Sequence, residues 1–245
     1  MTIAICLIIK DENQYLEEWL NHHRKLGIDF FIIYDNNSEV SVSEYIKDNN
    51  LNNGDIDVHL WTHDQMFSQV LAYEHCYKNY KDFDYIGFID IDEFYYSVTM
   101  NIKKDFDYFK QEHGHFEGIV FYWRNYGNYP YFTERQPIEK YTQWQDEIGV
   151  KTFANPKLIV NFLHPHHVTL KNGNYIDEVG EQSYIPGKER HSSRYAWLKH
   201  TWTRSLPEWD DKIKRGDANN RKIVPKTKEA FFPFNKDLKY SDIPL

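Results

Sequence analysis

Two aspartates separated by one apolar residue, Asp90-Ile91-Asp92, follow directly on the apolar run Tyr85–Ile89. Carboxylates at the open end of a buried strand are costly unless a cation or hydrogen-bond donors offset their charge. A hard divalent ion such as Mn2+ or Mg2+ suits oxygen ligands and bridges readily to a diphosphate. The chemistry open to this pair is metal-assisted departure of a phosphorylated leaving group. Three such residues occur by chance in many chains, so their weight comes from their position. The stretch His164-Pro165-His166-His167 also invites a metal, but it lacks the second ligand pair of a zinc site and Pro165 interrupts any common face.

The elements that must position Asp90 and Asp92 can be read from periodicity. Ile3–Ile9 is a continuous, β-branched apolar run, as in a strand buried on both faces. After Lys10-Asp11-Glu12, the residues Leu16, Trp19, Leu20, His23 and Leu26 mark one helical face, with Asp11 placed to cap its start and Gly27 after its end. Phe30–Tyr34 predicts a second strand, closed by Asp35-Asn36-Asn37-Ser38. Ser41 and Glu44 have capping-box spacing for the next helix. Ile56–Leu60 predicts a third strand, Asp64 the cap of a helix carrying Phe67, Val70, Leu71 and Tyr77, and Tyr85–Ile89 the fourth strand.

Strands alternating with helices at short spacing predict an α/β fold, a Rossmann-like, mainly parallel sheet with helices on both faces and right-handed crossovers. Ligands of such sheets bind at the carboxyl ends of the strands. Lys10–Glu12, Asp35–Asn37 and Asp90–Asp92 should therefore converge on one edge. The second half is less regular. It predicts a strand at Gly118–Trp123, a loop at Arg124–Tyr131, a helix over Gln136–Gln145, a strand at Leu158–Leu163, a short strand at Trp197–Trp202, and a polar helix from Pro207 carrying Lys212, Lys214 and Arg215.

Length, 245 residues, favours one domain. A net charge of −8 argues against nucleic acid as a partner, because duplex binding needs a basic surface. The 17% of aromatic residues mostly belong to a core, with some available as platforms for sugars or bases. Cys6 and Cys76 read as small core residues of a reducing compartment. The run Ile3–Ile9 is too short for a membrane span and has no signal-cleavage pattern, so the expectation is a cytoplasmic protein.

The ordered motifs resemble a known family. Ile5-Cys6-Leu7-Ile8-Ile9-Lys10-Asp11-Glu12, Leu16-Glu17-Glu18-Trp19-Leu20 with His23, and Ile33-Tyr34-Asp35-Asn36-Asn37-Ser38 resemble the start of glycosyltransferase family 92 and related family-2-like bacterial enzymes. Phe88-Ile89-Asp90-Ile91-Asp92-Glu93-Phe94 is similar to their metal motif. Trp123-Arg124-Asn125-Tyr126-Gly127, Lys151 with Pro156, and His200-Thr201-Trp202-Thr203-Arg204-Ser205 with Trp209, Lys212, Arg215 and Gly216 resemble their later elements. Trp202, Arg204 and Tyr126 depart from the usual Tyr, Lys and Phe, and the segment after Gly127 lacks the usual Ser/Gly run.

The resemblance implies a glycosyltransferase A-type fold over residues 1–223, with a nucleotide-binding half (1–95), an acceptor half (96–223), and a tail at 224–245. It implies Mn2+ or Mg2+ as cofactor and a UDP-sugar as donor. Asp92, Asp90 and His200 would hold the metal, with Asp90 also placed to contact ribose or donor sugar. Lys10, Glu12, Asp35 and Asn36 would lie at the nucleoside. Lys151, Arg204, Lys212 and Arg215 would lie among the donor contacts, the last three facing the diphosphate. An inverting reaction needs a carboxylate base; Glu139 and Glu134 are the best placed, and Asp177 stays open as a weaker alternative.

The expected activity is transfer of a hexose, glucose or galactose, to a glycan or lipid-linked oligosaccharide in cell-surface polysaccharide synthesis. The aromatic and basic tail suggests a peripheral contact at the inner face of the membrane. Two other classes compete. A sugar-phosphate nucleotidyltransferase would share sheet and metal, but it needs a Gly-rich loop where Lys10-Asp11-Glu12 stands. A non-catalytic glycan-binding module would use surface Tyr and Trp without nucleotide.

Overall fold

The run Ile3–Ile9 forms the central strand β1 because both of its faces are covered. Ile3, Ile5, Leu7 and Ile9 enter one apolar cluster, and Ala4 and Cys6 enter another on the opposite face. The computed structural model describes residues 1–62, 67–128, 131–181, 193–215, 227, 231 and 239–240, with backbone alone at 146–148 and 239–240.

Strands β2 (Phe30–Asp35), β3 (Ile56–Leu60) and β4 (Tyr85–Phe88) are parallel to β1 in the order β3-β2-β1-β4. Helices α1 (Leu16–Lys25) and α2 (Val42–Asp48) bury Leu16, Trp19, Leu20, Val42 and Ile46 in the first cluster. Helix α3 (Ser68–Asn79) buries Val70, Ala72, Tyr73 and Cys76 in the second. The chain winds outward from β1 with helices on one face, then returns to β4 with α3 on the other. The topological switch point lies between β1 and β4, and ligands of such sheets bind at the carboxyl ends of the strands there.

Beyond β4 come β5 (Glu93–Ser97), α4 (Ile102–His113), β6 (Gly118–Gly127), β7 (Gln143–Ala154), the hairpin β8 (Ile159–His164) and β9 (His167–Leu170), β10 (Tyr175–Ile176), β11 (Ala196–His200), α5 (Leu206–Arg215) and β12 (Lys239–Tyr240). The sheet continues β4-β7-β6-β11-β5, with β7 antiparallel to both neighbours and β5 antiparallel to β11. The first half is parallel as expected, whereas the second is mixed. Gly87 permits the β4–β7 contact, since a Cβ there would lie 2.2 Å from the Phe153 ring.

Several local expectations are corrected. Gln136–Gln145 is no helix: a single 3-10 turn, Ile138–Lys140, precedes β7. The end of that span, Gln143, Trp144 and Gln145, is instead a strand paired with Gly127, Tyr126 and Asn125 of β6. The loop expected from Arg124 begins later, because Asn125, Tyr126 and Gly127 pair with Gln145, Trp144 and Gln143. Asp11 does not cap α1, which has no side-chain cap; its Oδ1 accepts the Glu39 amide at 2.8 Å. Ser41 does cap α2, its Oγ accepting from Glu44 N at 3.1 Å. Asp64, Gly216 and most of the 224–245 tail lie outside the described residues. Among the described residues no helix is long and apolar enough to cross a membrane.

Two histidines of α1 are held neutral, His23 buried in the core and His22 half-buried beside it. His23 Nδ1 donates to Trp19 O (2.9 Å), while its Nε2 accepts the Tyr95 amide (3.3 Å). His22 Nε2 donates to Tyr95 O at 2.8 Å. Burial pulls His22 down to about 4 and His23 well below the usual range. The unfolded chain therefore binds more protons as pH falls below about 6.5, and stability present above that pH is lost on acidification, at about 1.4 kcal/mol per pH unit per histidine. Urea midpoints should fall between pH 6.5 and 5, and His22→Leu should make that slope shallower. An unchanged slope in the variant would refute the assignment.

Candidate active site

Asp90 and Asp92 leave the end of β4 in different directions, and each meets its own cation. Asp90 Oδ2 accepts from Lys151 Nζ at 2.8 Å, and its Oδ1 accepts from Gln69 Nε2 (2.7 Å) and Tyr73 OH (3.2 Å), both on α3. Asp92 Oδ2 accepts from Lys212 Nζ at 2.5 Å and lies 3.8 Å from His200 Nε2. Although burial alone would raise it, Lys212, His200 and Arg204 together hold the Asp92 carboxyl well below the usual range.

Lys151 is fully buried on β7, between Asp90 and Glu93, whose Oε2 is 3.8 Å from its ammonium. With no exposed surface in this structure, it acts as an internal counter-ion to these two residues instead of the donor contact the sequence suggested. Burial pushes Glu93 up to about 8 against the pull of Lys151, so near neutral pH it shares the burden of charge as a mostly protonated acid. Glu93 Oε2 also accepts the Asp90 amide at 2.8 Å, which folds the acidic turn onto itself.

The predicted convergence is observed. Arg215 of α5 pairs with Glu12 at 2.8 Å, bringing the loop after β1 to the helix that carries Lys212. Arg204 donates to Ile91 O at 3.1 Å and its guanidinium lies 3.4 Å from the Tyr15 ring centre. Lys10 lies half-buried at the end of β1. Asp35 turns out to be structural: its two oxygens accept the amides of Ser38 and Val42, both at 2.9 Å. That turn presents Asn36, whose buried Oδ1 has no hydrogen-bond partner, nor has that of Asn13 nearby in chain order after β1. Asp11, Asn37, Phe67 and Arg204 adopt positive φ (51°, 62°, 71° and 52°). Such backbone strain in non-glycine residues concentrates at functional sites.

His200 closes β11, backed by the Trp123 ring at 4.3 Å, which in turn contacts His166 at 5.0 Å. Gly149 makes room for that tryptophan, since a Cβ there would lie 1.8 Å from its ring. His166 is thus packing, with Nδ1 on Val150 O at 3.1 Å, and the histidine stretch forms the β8–β9 turn. Of the base candidates, Glu134 and Glu139 are exposed on the segment after β6, at the carboxyl edge. Asp177 is corrected: it follows β10, which pairs with the opening residues of β6 at the other end of the sheet, and its Oδ1 caps the amides of Val179 and Glu181.

Asp90, Asp92 and His200 do not form one metal cluster; among the described residues no group of three or more His, Cys, Asp or Glu is arranged to hold an ion. The carboxylate of Asp92 and the imidazole of His200 are nonetheless an oxygen and a nitrogen donor 3.8 Å apart, a pair that fits Mn2+ better than the oxygen-demanding Mg2+. They fit an ion whose remaining ligands come from elsewhere.

Residues 1–230 match glycosyltransferase family 92. The chain belongs to this family. Curated relatives agree over a shorter stretch. A family 92 protein of Arabidopsis thaliana is 32% identical over 98 residues, 40% of this chain and 17% of the relative. One of Ricinus communis is 30% identical over 95 residues, 38% and 16%. The matched stretch thus spans about a sixth of the length of these relatives. Among solved structures, S. aureus TarS 1–349 superposes over 96% of this chain and 70% of that one, at TM-score 0.47 and 13% identity. That likeness is too distant to carry an argument.

In this family 92 chain, sequence reasoning missed Gln69, Tyr73 and Glu93. A signal for the first two existed: a polar pair four residues apart on the buried face of α3 must have a polar partner. The buried ion group makes a test. Lys151→Met strands the Asp90 carboxylate without its cation and should cost about 3 kcal/mol in urea unfolding. Adding Asp90→Asn should restore part of it, and a cost below 1 kcal/mol would show that the ammonium is dispensable.

Proposed function

We propose that this chain transfers a hexose from a UDP-sugar to a glycan acceptor, and that the crevice between β1 and β4 binds the donor. The observation that carries this reading is the meeting, along the carboxyl ends of β1, β2 and β4, of buried amide acceptors with a cationic wall. Asn13 and Asn36 offer partnerless oxygens suited to the N–H and hydroxyl groups of a nucleoside. Arg204, Lys212 and Arg215 line the side where a diphosphate would lie, each held by an acidic or carbonyl group of this chain.

Asp92 and His200 would hold Mn2+ or Mg2+ once Lys212 moves off Asp92, and the diphosphate would complete its ligands. The ion supplies Lewis-acid stabilisation of the departing nucleoside diphosphate. Arg204 and Lys212 add fixed positive charge to the same group. Asp90, anchored by Gln69, Tyr73 and Lys151, keeps the acidic turn in place and presents a partly exposed edge to the donor sugar. In an inverting transfer the acceptor hydroxyl gives its proton to Glu134 or Glu139 as its oxygen bonds the anomeric carbon and the diphosphate leaves with the electron pair. A lipid-linked acceptor in cell-surface polysaccharide synthesis, reached from the cytoplasmic face of the membrane, is the setting this reading favours.

Incubation with UDP-glucose or UDP-galactose and Mn2+ should release UDP slowly in the absence of acceptor. Asp92→Asn should lower that rate about 10²- to 10³-fold, the scale of losing one preorganised electrostatic group. A chain that binds no UDP by calorimetry, with or without Mn2+, would sink the reading.

A further inference from the structure

A second concavity opens where β6 ends and β7 begins. It has a volume of about 340 Å³, and Tyr131, Phe132, Glu134, Gln136, Lys140 and Gln143 are among its walls. That volume is at the lower end of small-ligand sites. The half-buried Tyr131 and Phe132 offer ring surface, while a carboxylate, two amides and an ammonium offer hydrogen bonds of both senses. A pyranose ring has this dual character, with an apolar C–H face and a rim of hydroxyls. One acidic and one basic side chain among the walls suit a neutral sugar better than an anionic one.

The cleft is rigidly tied to the donor crevice. Asn128, buried at the end of β6, accepts the Phe132 amide on Oδ1 at 2.5 Å and donates from Nδ2 to Arg204 O at 2.8 Å. Leu206 N donates to Phe132 O at 3.1 Å. The segment bearing Arg204 is thus bonded to the cleft wall from both sides. In the sheet, His200 of β11 is level with Asn125 of β6, and the cleft begins at Gly127. Two residues of strand are roughly 7 Å, close to the span of one sugar ring.

The geometry points to this cleft as the subsite for a neutral pyranose unit of the acceptor, with Glu134 its charged contact. Glu139 is not among its walls. This inference rests on the donor crevice lying between β1 and β4, and its test separates the two.

Saturation-transfer NMR with methyl glucoside, methyl galactoside, methyl mannoside and methyl N-acetylglucosaminide is the probe, with UDP affinity measured on the same samples. At least one glycoside should show transfer to the wild-type chain. Its signal should fall at least fivefold in Tyr131→Ala and in Glu134→Ala, while UDP affinity stays within twofold. Glu134 is exposed, so its variant keeps the test open should Tyr131→Ala fold poorly. Glycoside signals that both variants leave unchanged, or no glycoside signal at all, would overturn the subsite. Loss of UDP binding in the wild type would instead overturn the donor crevice and leave the glycoside result standing.

Discussion

The ammonium of Lys151 is the constraint on which the site depends. It is fully buried on β7, yet it bonds a carboxylate that emerges from β4 and faces a second one at the head of β5. Three ionisable groups so deep would be prohibitive if all carried isolated charge. The chain avoids this by keeping Glu93 protonated up to about pH 8, so that near neutrality one cation faces one anion. The turn between β4 and β5 can then carry a second, ionised aspartate, Asp92, outward to His200 and Lys212.

Around that turn, opposite faces of the sheet do different work. The α1 face packs Trp19 beneath the acidic loop, with its indole N–H donating to Glu93 O at 2.9 Å and Asp90 O at 3.2 Å. The α3 face supplies Gln69 and Tyr73 to Asp90. Because α3 crosses to the face opposite α1 and α2, the loop after β4 is held from above and below. The switch point between β1 and β4 is the place where the two helical layers part.

The second half of the chain contributes through strands that fold back across the sheet. β11 brings His200, and the turn after it brings Arg204 in a left-handed conformation with its guanidinium stacked on Tyr15. Helix α5 then returns Lys212 and Arg215 to the loops after β4 and β1. Asn128 couples this returning segment to the walls of the 340 Å³ cleft. The segment that bears Arg204 and the wall of the cleft therefore share a single hydrogen-bonded partition.

Much of the first half was legible from residue order alone. An apolar run such as Ile3–Ile9 has only one economical fate, a strand covered on both faces, and four such runs joined by amphipathic helices imply a parallel sheet with polar loops at one edge. That edge holds Glu12, Asn36, Asp90 and Asp92, as their positions after β1, β2 and β4 require. Tertiary structure decided what those residues do. Asp35 spends its carboxylate on its own turn, Lys151 is an internal counter-ion, and Asp177 lies at the far end of the sheet. The stretch after Pro137 became a strand because β4 and β6 left a gap for it. Partners such as Lys151–Glu93 and Asn128–Arg204 are 58 and 76 residues apart. Periodicity reports only which face a side chain takes, whereas the charge it meets is set by packing between segments distant in the chain.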